Sequence, residues 1–394
     1  MLESLSNLPL WTYIWTYIVV TLLFAQVTIA SVTIFLHRCQ THNALTLHPF
    51  ASHFFRFWLW LTTGLVTKEW VAVHRKHHAK CESVDDPHSP QIQGIWKVLF
   101  GGAGLYFAAK RDKKTLEHYG HGTPDDWIER NVYSRFSFLG IAIMAALDGL
   151  LFGAAGLIIF AVQMAWIPFW AAGVVNGLGH FCGYRNFETT DASRNLSPLG
   201  IWIGGEELHN NHHAYPHSAR LSNKWWEFDI GWLYIKTLAL LGLARIRRVA
   251  PKVHIARGKR VVDLQTLRAV LRDRYHILTL YGRQVIHPVV RAEGRVPGVR
   301  RKPLRQVRKL MTREYLLPDA RGLALLSDAL QHSQTLETVY RFKARLKELW
   351  TRAASDGAKR VEFLENWCAE AENSGIQVLQ EFADLLRGYT LQPT

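Results

Sequence analysis

Trp11 to Leu36 is a run of 26 residues with no charge, no glycine and no proline. At about 1.5 Å per residue, a helix of that length exceeds the roughly 30 Å hydrocarbon core of a bilayer and crosses it once, with tilt. This run constrains the chain more than any other feature, because one span commits the next stretch of chain to one side of a membrane. Its leading flank carries only Glu3, whereas His37-Arg38 lie just past the far end. Basic residues collect on the cytoplasmic side of spans, so the far end is placed in the cytoplasm. Met1 to Pro9 hold no Lys or Arg, so no cleavable signal peptide with a positive leading region is expected.

Phe54 to Val66 is apolar but too short and too polar at its ends for a clean span. The histidines at 37–42 and 74–78 should meet, and the 31 residues between His42 and His74 are too few for two crossings. The segment reads as an interfacial or re-entrant helix anchored by Trp58, Trp60 and Trp70. Ile95 to Ala109 is a second short, Gly-interrupted segment of the same kind, and Lys110 to Arg135 is a charged cytoplasmic connection. Phe136 to Leu178 is apolar again and fits a helical hairpin turning near Phe160–Pro168. Asp148 lies inside it; the favoured reading is an inward-facing acid satisfied by a neighbouring helix.

Long apolar runs end near residue 185, and beyond about 240 the chain turns basic with helical spacing. The formal net charge is +15, with the excess between Arg245 and Arg313. Beside membrane spans such a segment marks the cytoplasmic side and touches anionic lipid; nucleic acid is the competing partner and is not expected. Leu264, Leu267, Val270 and Leu271 recur at helical spacing, Arg291 to Arg305 reads as an Arg-, Gly- and Pro-rich linker, and residues 304 to 388 read as amphipathic helices, as at Leu346, Leu349 and Trp350. Three parts are expected: a membrane and catalytic domain over 1–245, a basic cytoplasmic linker and helix over 246–303, and a soluble helical unit over 304–394. The four cysteines form no C-x-x-C pair, which excludes a zinc ribbon or thioredoxin-type motif, and a disulfide framework is not expected.

Three histidine clusters carry the chemistry. His37 and His42 form an H-x4-H; His74, His77 and His78 form an H-x2-H-H; His209, His212 and His213 repeat that spacing. His180 stands alone after the hairpin, in Asn176-Gly-Leu-Gly-His180. On a helix, positions i, i+3 and i+4 project from one face, so each H-x2-H-H aims three imidazoles at one point. Imidazole suits iron, copper, nickel and zinc, and one zinc takes only three or four ligands, so nine converging histidines imply more than one metal ion. Cys39, Cys81 and Cys182 lie near boxes, and His88 and His217 come after boxes two and three as candidate supporting residues.

The order H-x4-H, H-x2-H-H, N-x3-H, H-x2-H-H resembles the membrane fatty acid desaturases of the stearoyl-CoA desaturase type, over about residues 30 to 240. Asn43-Ala44 after box one, Asp86-Pro87-His88 after box two, Gly183-Tyr184-Arg185 after His180 and Gly205-Glu206 before box three agree with it. More closely, the chain is similar to bacterial desaturases acting on membrane phospholipid chains. The resemblance implies an all-α integral-membrane fold with a cytoplasmic cap. It implies that His37, His42, His74, His77, His78, His180, His209, His212 and His213 ligate two irons, and that Asn176 holds an iron through water. Relatives of known architecture have four spans in two hairpins, whereas only 36 residues precede box one here. The basic helical tail is not part of the eukaryotic pattern.

The implied reaction is oxygen-dependent removal of two hydrogens from adjacent methylenes of an acyl-CoA or phospholipid chain, leaving a cis double bond, with carbon nine suggested by the family. Dioxygen is the co-substrate. Electrons come from an external donor of the ferredoxin or flavin reductase type, since the chain has no flavin, haem or ferredoxin motif. Membrane lipid is the other partner, and the site is the bacterial inner membrane with the metal centre facing the cytoplasm. An alkyl chain offers no polar handle, so a bent apolar tunnel must set its position, walled by Phe and Trp residues around 54–70 and by the spans. Two rivals stand beside this reading: a hydroxylase or ketolase on the same scaffold, which in alkane hydroxylases opens box one with H-E rather than His37-Arg38, and a membrane metal-handling protein, which would want ligands along a path within the bilayer.

Overall fold

The computed structural model describes residues 9–256, 258–295, 301–316, 319–351 and 356–392. Met1 to Leu8, and the centre of the Arg291–Arg305 stretch, lie outside the described residues. The chain divides into two units.

The first unit comprises Met1–Arg185 and Asp191–Ala250. Helix α1, Leu10–Ser31, runs without a break into a π-helical segment π1, Val32–Thr41. Then come α2 (Pro49–Thr63), α3 (Thr67–Lys80), a single turn α4 (Pro90–Gln93), α5 (Ile95–Ala109), α6 (Lys113–Tyr119) and a π turn π2 (Glu129–Tyr133). The hairpin is α7 (Ser137–Phe152) and α8 (Ala154–Ile167), the latter continuing as π3 (Pro168–Leu178). Short helices α9 (His209–Ala214) and α10 (Ile230–Leu240) complete it. Its strands are minimal: β1 (Leu45–Leu47) pairs antiparallel with β4 (Ala244–Ile246), Leu45 opposite Ile246, and β2 (Leu199–Gly200) pairs parallel with β3 (Phe228–Asp229).

Two helices are long and apolar enough to cross a bilayer, Leu10–Thr41 and Ala154–Leu178. The outer face of α1 exposes Leu10, Trp11, Ile14, Trp15, Val19 and Leu23, and α8 exposes Leu157 and Ile158. An apolar surface of this extent calls for a lipid or protein cover rather than water. The hairpin turns at Gly153, not near Phe160–Pro168. Gly153 takes φ +59°, which a side chain disfavours, and joins α7 directly to α8. Pro168 does not end the helix; the backbone hydrogen bond it cannot donate is absorbed by the change from α to π geometry. Asp148 is fully buried and accepts a hydrogen bond from Gln163 Nε2 at 2.9 Å, the inward-facing pairing expected of it. One glycine of α5 serves contact with π3: a Cβ on Gly102 would lie 2.2 Å from Ala172 O, and one on Gly173 of π3 would lie 2.3 Å from Leu99 O. Small residues let two helix backbones approach this closely.

Arg38, taken from sequence as a flanking charge, is buried. Its guanidinium grips both oxygens of Asp229 at 2.9 and 3.0 Å and donates to Gly204 O and Ala219 O. It ties the end of π1 to the chain on either side of box three, and it adds nothing to the positive surface.

The second unit comprises Asn186–Thr190 and Pro251–Thr394. Strands β5 (Lys252–Ile255) and β6 (Tyr389–Gln392) pair antiparallel. Between them lie α11 (Leu264–Arg272), α12 (Arg274–Tyr281), π4 (Gly282–Ile286), α13 (His287–Glu293), α14 (Arg301–Thr312), α15 (Ala320–His332), α16 (Gln334–Thr351), α17 (Gly357–Asn373) and α18 (Gln377–Arg387). Leu267, Val270, Ile277 and Val285 share one buried cluster with Leu346, Phe342, Trp367 and Phe382. From Pro251 onward, the stretch read as a basic linker therefore contributes core residues to the same unit as 304–394.

Candidate metal centre

Box one sits where π1 ends. On an α-helix, residue i+5 points well away from residue i; a π turn closes the backbone on i+5 and brings the two into line. Here His42 N–H donates to His37 O at 3.1 Å, and the two rings lie 4.8 Å apart. Box two occupies the last two turns of α3, and box three fills the one and a half turns of α9, all of it buried. His180 comes just after π3 and is fully buried.

These elements bring the nine histidines into two adjacent groups. His37, His42, His74, His78 and His212 place their ligand atoms within 4.8 Å of one another, and so do His77, His180 and His213. His209 joins the second group, its Nε2 2.9 Å from His180 Nε2. The groups meet where the His78 and His213 rings stack at 4.5 Å. In the first group the Nε2 atoms lie 3.1 Å apart for His37 and His212, 3.1 Å for His74 and His78, and 2.9 Å for His78 and His212. Two imidazole nitrogens about 2.1 Å from a shared metal and at right angles to each other are about 3.0 Å apart. His42 Nε2 and His213 Nε2 are buried with no hydrogen-bond partner. A buried unpaired ring nitrogen is costly, and a bound cation relieves that cost. The donor set therefore fits metal ions.

Carboxylates hold the far side of four rings. His77 Nδ1 meets Asp86 at 3.0 Å, His180 Nδ1 meets Glu82 at 2.9 Å, His213 Nδ1 meets Asp191 at 3.0 Å, and His37 Nδ1 lies 2.8 Å from Glu206. Such contacts fix which ring nitrogen is free to ligate and raise its basicity. Burial, then repulsion from neighbouring histidines, pushes His42, His74, His78, His209 and His212 well below the usual histidine range. They are neutral at pH 7, the form that binds metal. Burial opposes charge on His77 as well, but Asp86 outweighs it and raises that ring. Burial and the acids Asp191, Asp86 and Glu82 push the Cys81 thiol well up. Its Sγ stands 3.9 Å from both His77 Nε2 and His180 Nδ1, within 4.8 Å of the ligand atoms of that group.

A cavity of about 170 Å³ reaches this centre. His37, His74, His209, Glu206 and Asn176 line its metal end, and Ile29, Val32, Tyr106, Met164 and Ile167 line the remainder. Of the aromatics expected in the wall, Trp70 lines it, stacked on His74 at 4.9 Å. Phe54 and Phe57 do not; they lie on the exposed face of α2. The wall opposite comes from α5, whose part in it the sequence did not signal. His88 belongs to this place: its ring stacks on His77 at 4.4 Å, its Nε2 is buried without a partner, and it lines the cavity. His217 sits outside, its Nδ1 2.8 Å from His42 O. Glu82 and Asp191 are not apparent from the sequence, since neither stands at a fixed spacing from the histidine it holds.

The fold and centre together define a helical protein whose clustered, buried histidines fit metal ions. A family model described as fatty acid desaturase matches residues 13–236, and one described as transposase matches residues 263–392. The sn-1 stearoyl-lipid 9-desaturase of Synechocystis sp. is 31% identical over 231 residues, covering 57% of this chain and 69% of that protein. Delta-9 acyl-lipid desaturase 2 of Arabidopsis thaliana is 28% identical over 246 residues, 61% of this chain and 78% of its own length. An acyl-CoA 5-desaturase of Anemone leveillei is 32% identical over 254 residues, 62% and 74% respectively. The chain belongs to the fatty acid desaturase family, and it is a desaturase enzyme.

Proposed function

We propose that the protein introduces a cis double bond at carbon nine of a saturated, lipid-linked acyl chain, at a pair of irons held by the nine histidines. The observation that carries this reading is the gathering of five and four histidines into two touching groups at the end of an apolar cavity. His37, His42, His74, His78 and His212 would hold one iron, and His77, His180, His209 and His213 the other, with Asn176 beside them through water. The iron pair, when bound, supplies activation of dioxygen for the removal of two hydrogens from adjacent methylenes. Each turnover joins one dioxygen to the two hydrogens of the chain, two electrons from an outside carrier and two protons, and releases two waters.

The protein's own residues bind, orient and exclude. The cavity wall grips an unfunctionalised chain by shape alone, so the depth it permits sets which carbons meet the centre. Glu82, Asp86, Asp191 and Glu206 keep the imidazoles aimed, and burial keeps most of the rings neutral. The apolar lining from Ile29 to Ile167 keeps bulk water away from the reacting carbons. The Synechocystis and Arabidopsis relatives carry a 9-desaturase activity on lipid-bound chains, which supports that position and carrier here. We place the centre on the cytoplasmic side of a bacterial inner membrane, where a ferredoxin or flavin reductase type of carrier delivers electrons.

The test is the fatty acid profile of bacterial membranes with and without the protein, in air, together with iron content of the purified chain. New monounsaturated chains with about two irons per chain support the proposal. The same measurements on His212→Ala should show neither. Hydroxylated or oxo chains would move the reaction to an oxygenase on the same centre, and a single non-iron metal with unchanged lipid would overturn it.

A further inference from the structure

The desaturase reading makes no use of the second unit, and the most unusual feature of that unit is a groove lined by arginines. Between Arg283 and Arg313 the chain carries ten Lys and Arg against one acid, Glu293. That acid accepts a hydrogen bond from Ser333 and does not line the groove. Arg283, His287, Arg291 and Arg295 recur every fourth residue through π4 and α13, so they form one stripe. At about 1.5 Å per residue the stripe is roughly 18 Å long. Arg305 and Arg308 face it from α14 across a cavity of about 940 Å³. None of the five arginines has an ion pair or side-chain hydrogen bond among the described residues, although elsewhere in the unit Arg313, Arg345 and Arg387 are each paired with an acid. Burial, then Arg308, Arg313 and Arg283, hold His287 below its ordinary range, a mark of how positive the groove is.

Gathering like charges without counter-charges costs free energy that only an anionic partner returns. Guanidinium groups suit phosphate oxygens. We infer that this groove binds the phosphodiester backbone of a nucleic-acid duplex. Three guanidiniums about 12 and 6 Å apart along the stripe, faced by two more from α14, fit an extended polyanion better than a single small anion. Among the described residues that line the groove, Leu304 is half-buried and no Trp or Phe is present to insert into a bilayer, as a lipid-surface element would. Among the described residues that line it there is no Trp, Tyr or Phe on which to stack an unpaired base, which favours a duplex and sequence-independent contact. The groove lies wholly inside the stretch, 263–392, that matches the transposase model. The expectation of lipid contact, drawn from a basic segment beside membrane spans, set nucleic acid aside; the concave, unpaired arrangement favours nucleic acid instead.

The test uses the full chain in detergent and a fluorescent duplex of roughly 20 base pairs and arbitrary sequence, long enough to cover the stripe. Five phosphate contacts predict that log K falls with log salt at a slope of about −4 to −5 between about 50 and 200 mM. Arg305→Gln with Arg308→Gln should lower that slope by about 2 and weaken binding at least tenfold, on the order expected for two lost contacts. Arg321→Gln with Lys359→Gln, exposed and outside the groove, should change neither. Circular dichroism and melting of both double variants should match the parent, since all four side chains are outside the core. Unchanged binding by the groove variant overturns the inference. So does a groove variant that loses affinity for phosphatidylglycerol vesicles while its duplex binding stays as in the parent.

Discussion

Replacing Arg38 by Met should loosen the metal centre without touching a histidine. The Arg38 and Asp229 side chains are 1% and 0% exposed, and the guanidinium donates four hydrogen bonds, two to Asp229 and one each to Gly204 O and Ala219 O. The methionine fills much of the space but leaves the carboxylate buried and short of its counter-charge. Asp229 keeps only the backbone N–H groups of Leu221 and Trp232, at 2.7 and 2.9 Å. Breaking a buried pair from one side costs about 3–5 kcal/mol. For a unit of this size each kcal/mol moves the melting temperature by roughly 2–4 °C, so a fall of roughly 6–20 °C is expected. The assay is tryptophan-fluorescence melting in detergent at one fixed scan rate, because unfolding of such a protein is read as a rate-dependent midpoint. Iron retained after mild heating should fall in step, since Gly204 and Ala219 flank box three. Adding Asp229→Asn removes the stranded charge while still accepting from Trp232, and should recover at least half of the loss. A shift under about 2 °C in the single variant, or a double variant no better than the single, would refute the assignment of this pair as the lock between π1 and box three.

Asp191→Asn should weaken iron binding about 10- to 100-fold, measured by competition with a chelator, because the contact that aims His213 is reduced from charged to neutral. Gly102→Val should misassemble the first unit, since its Cβ alone would fall 2.2 Å from Ala172 O; loss of monodisperse protein on size exclusion checks it, and normal elution would contradict the packing. A chain cut near residue 290 should be degraded back toward Ala250 under limited proteolysis, because the cut parts Tyr281 and Val285 from Trp367 and Phe382. An impermeant label should reach a tag placed ahead of α1 from the periplasmic face, and cytoplasmic labelling would reverse the proposed orientation.

The clustering of the histidines was legible because it is a local pattern on a helix: i, i+3 and i+4 share a face whatever the rest of the chain does. The long apolar run that begins at Trp11 was legible for the same reason, since crossing length depends on residue count and rise alone. What the first unit does with box one was not legible. The i, i+5 spacing of His37 and His42 becomes a shared face only because the helix changes to π geometry there, and no composition rule announces that. The hairpin turn was misplaced because Pro168 looks like a stop in sequence, while Gly153 looks like one small residue among several. Arg38 read as a surface charge because sequence cannot see Asp229, 191 positions away.

The sequence by itself determined the enzyme family, the histidine clusters and the presence of helices long and apolar enough to cross a bilayer, since each rests on spacing within a single segment. Tertiary structure decided which histidine joins which group, which acids hold the rings, which wall the cavity beside them takes from α5, and that unpaired arginines face one another across a groove. Those are relations between segments far apart in the chain, and only packing brings them within the few ångströms over which hydrogen bonds and charges act.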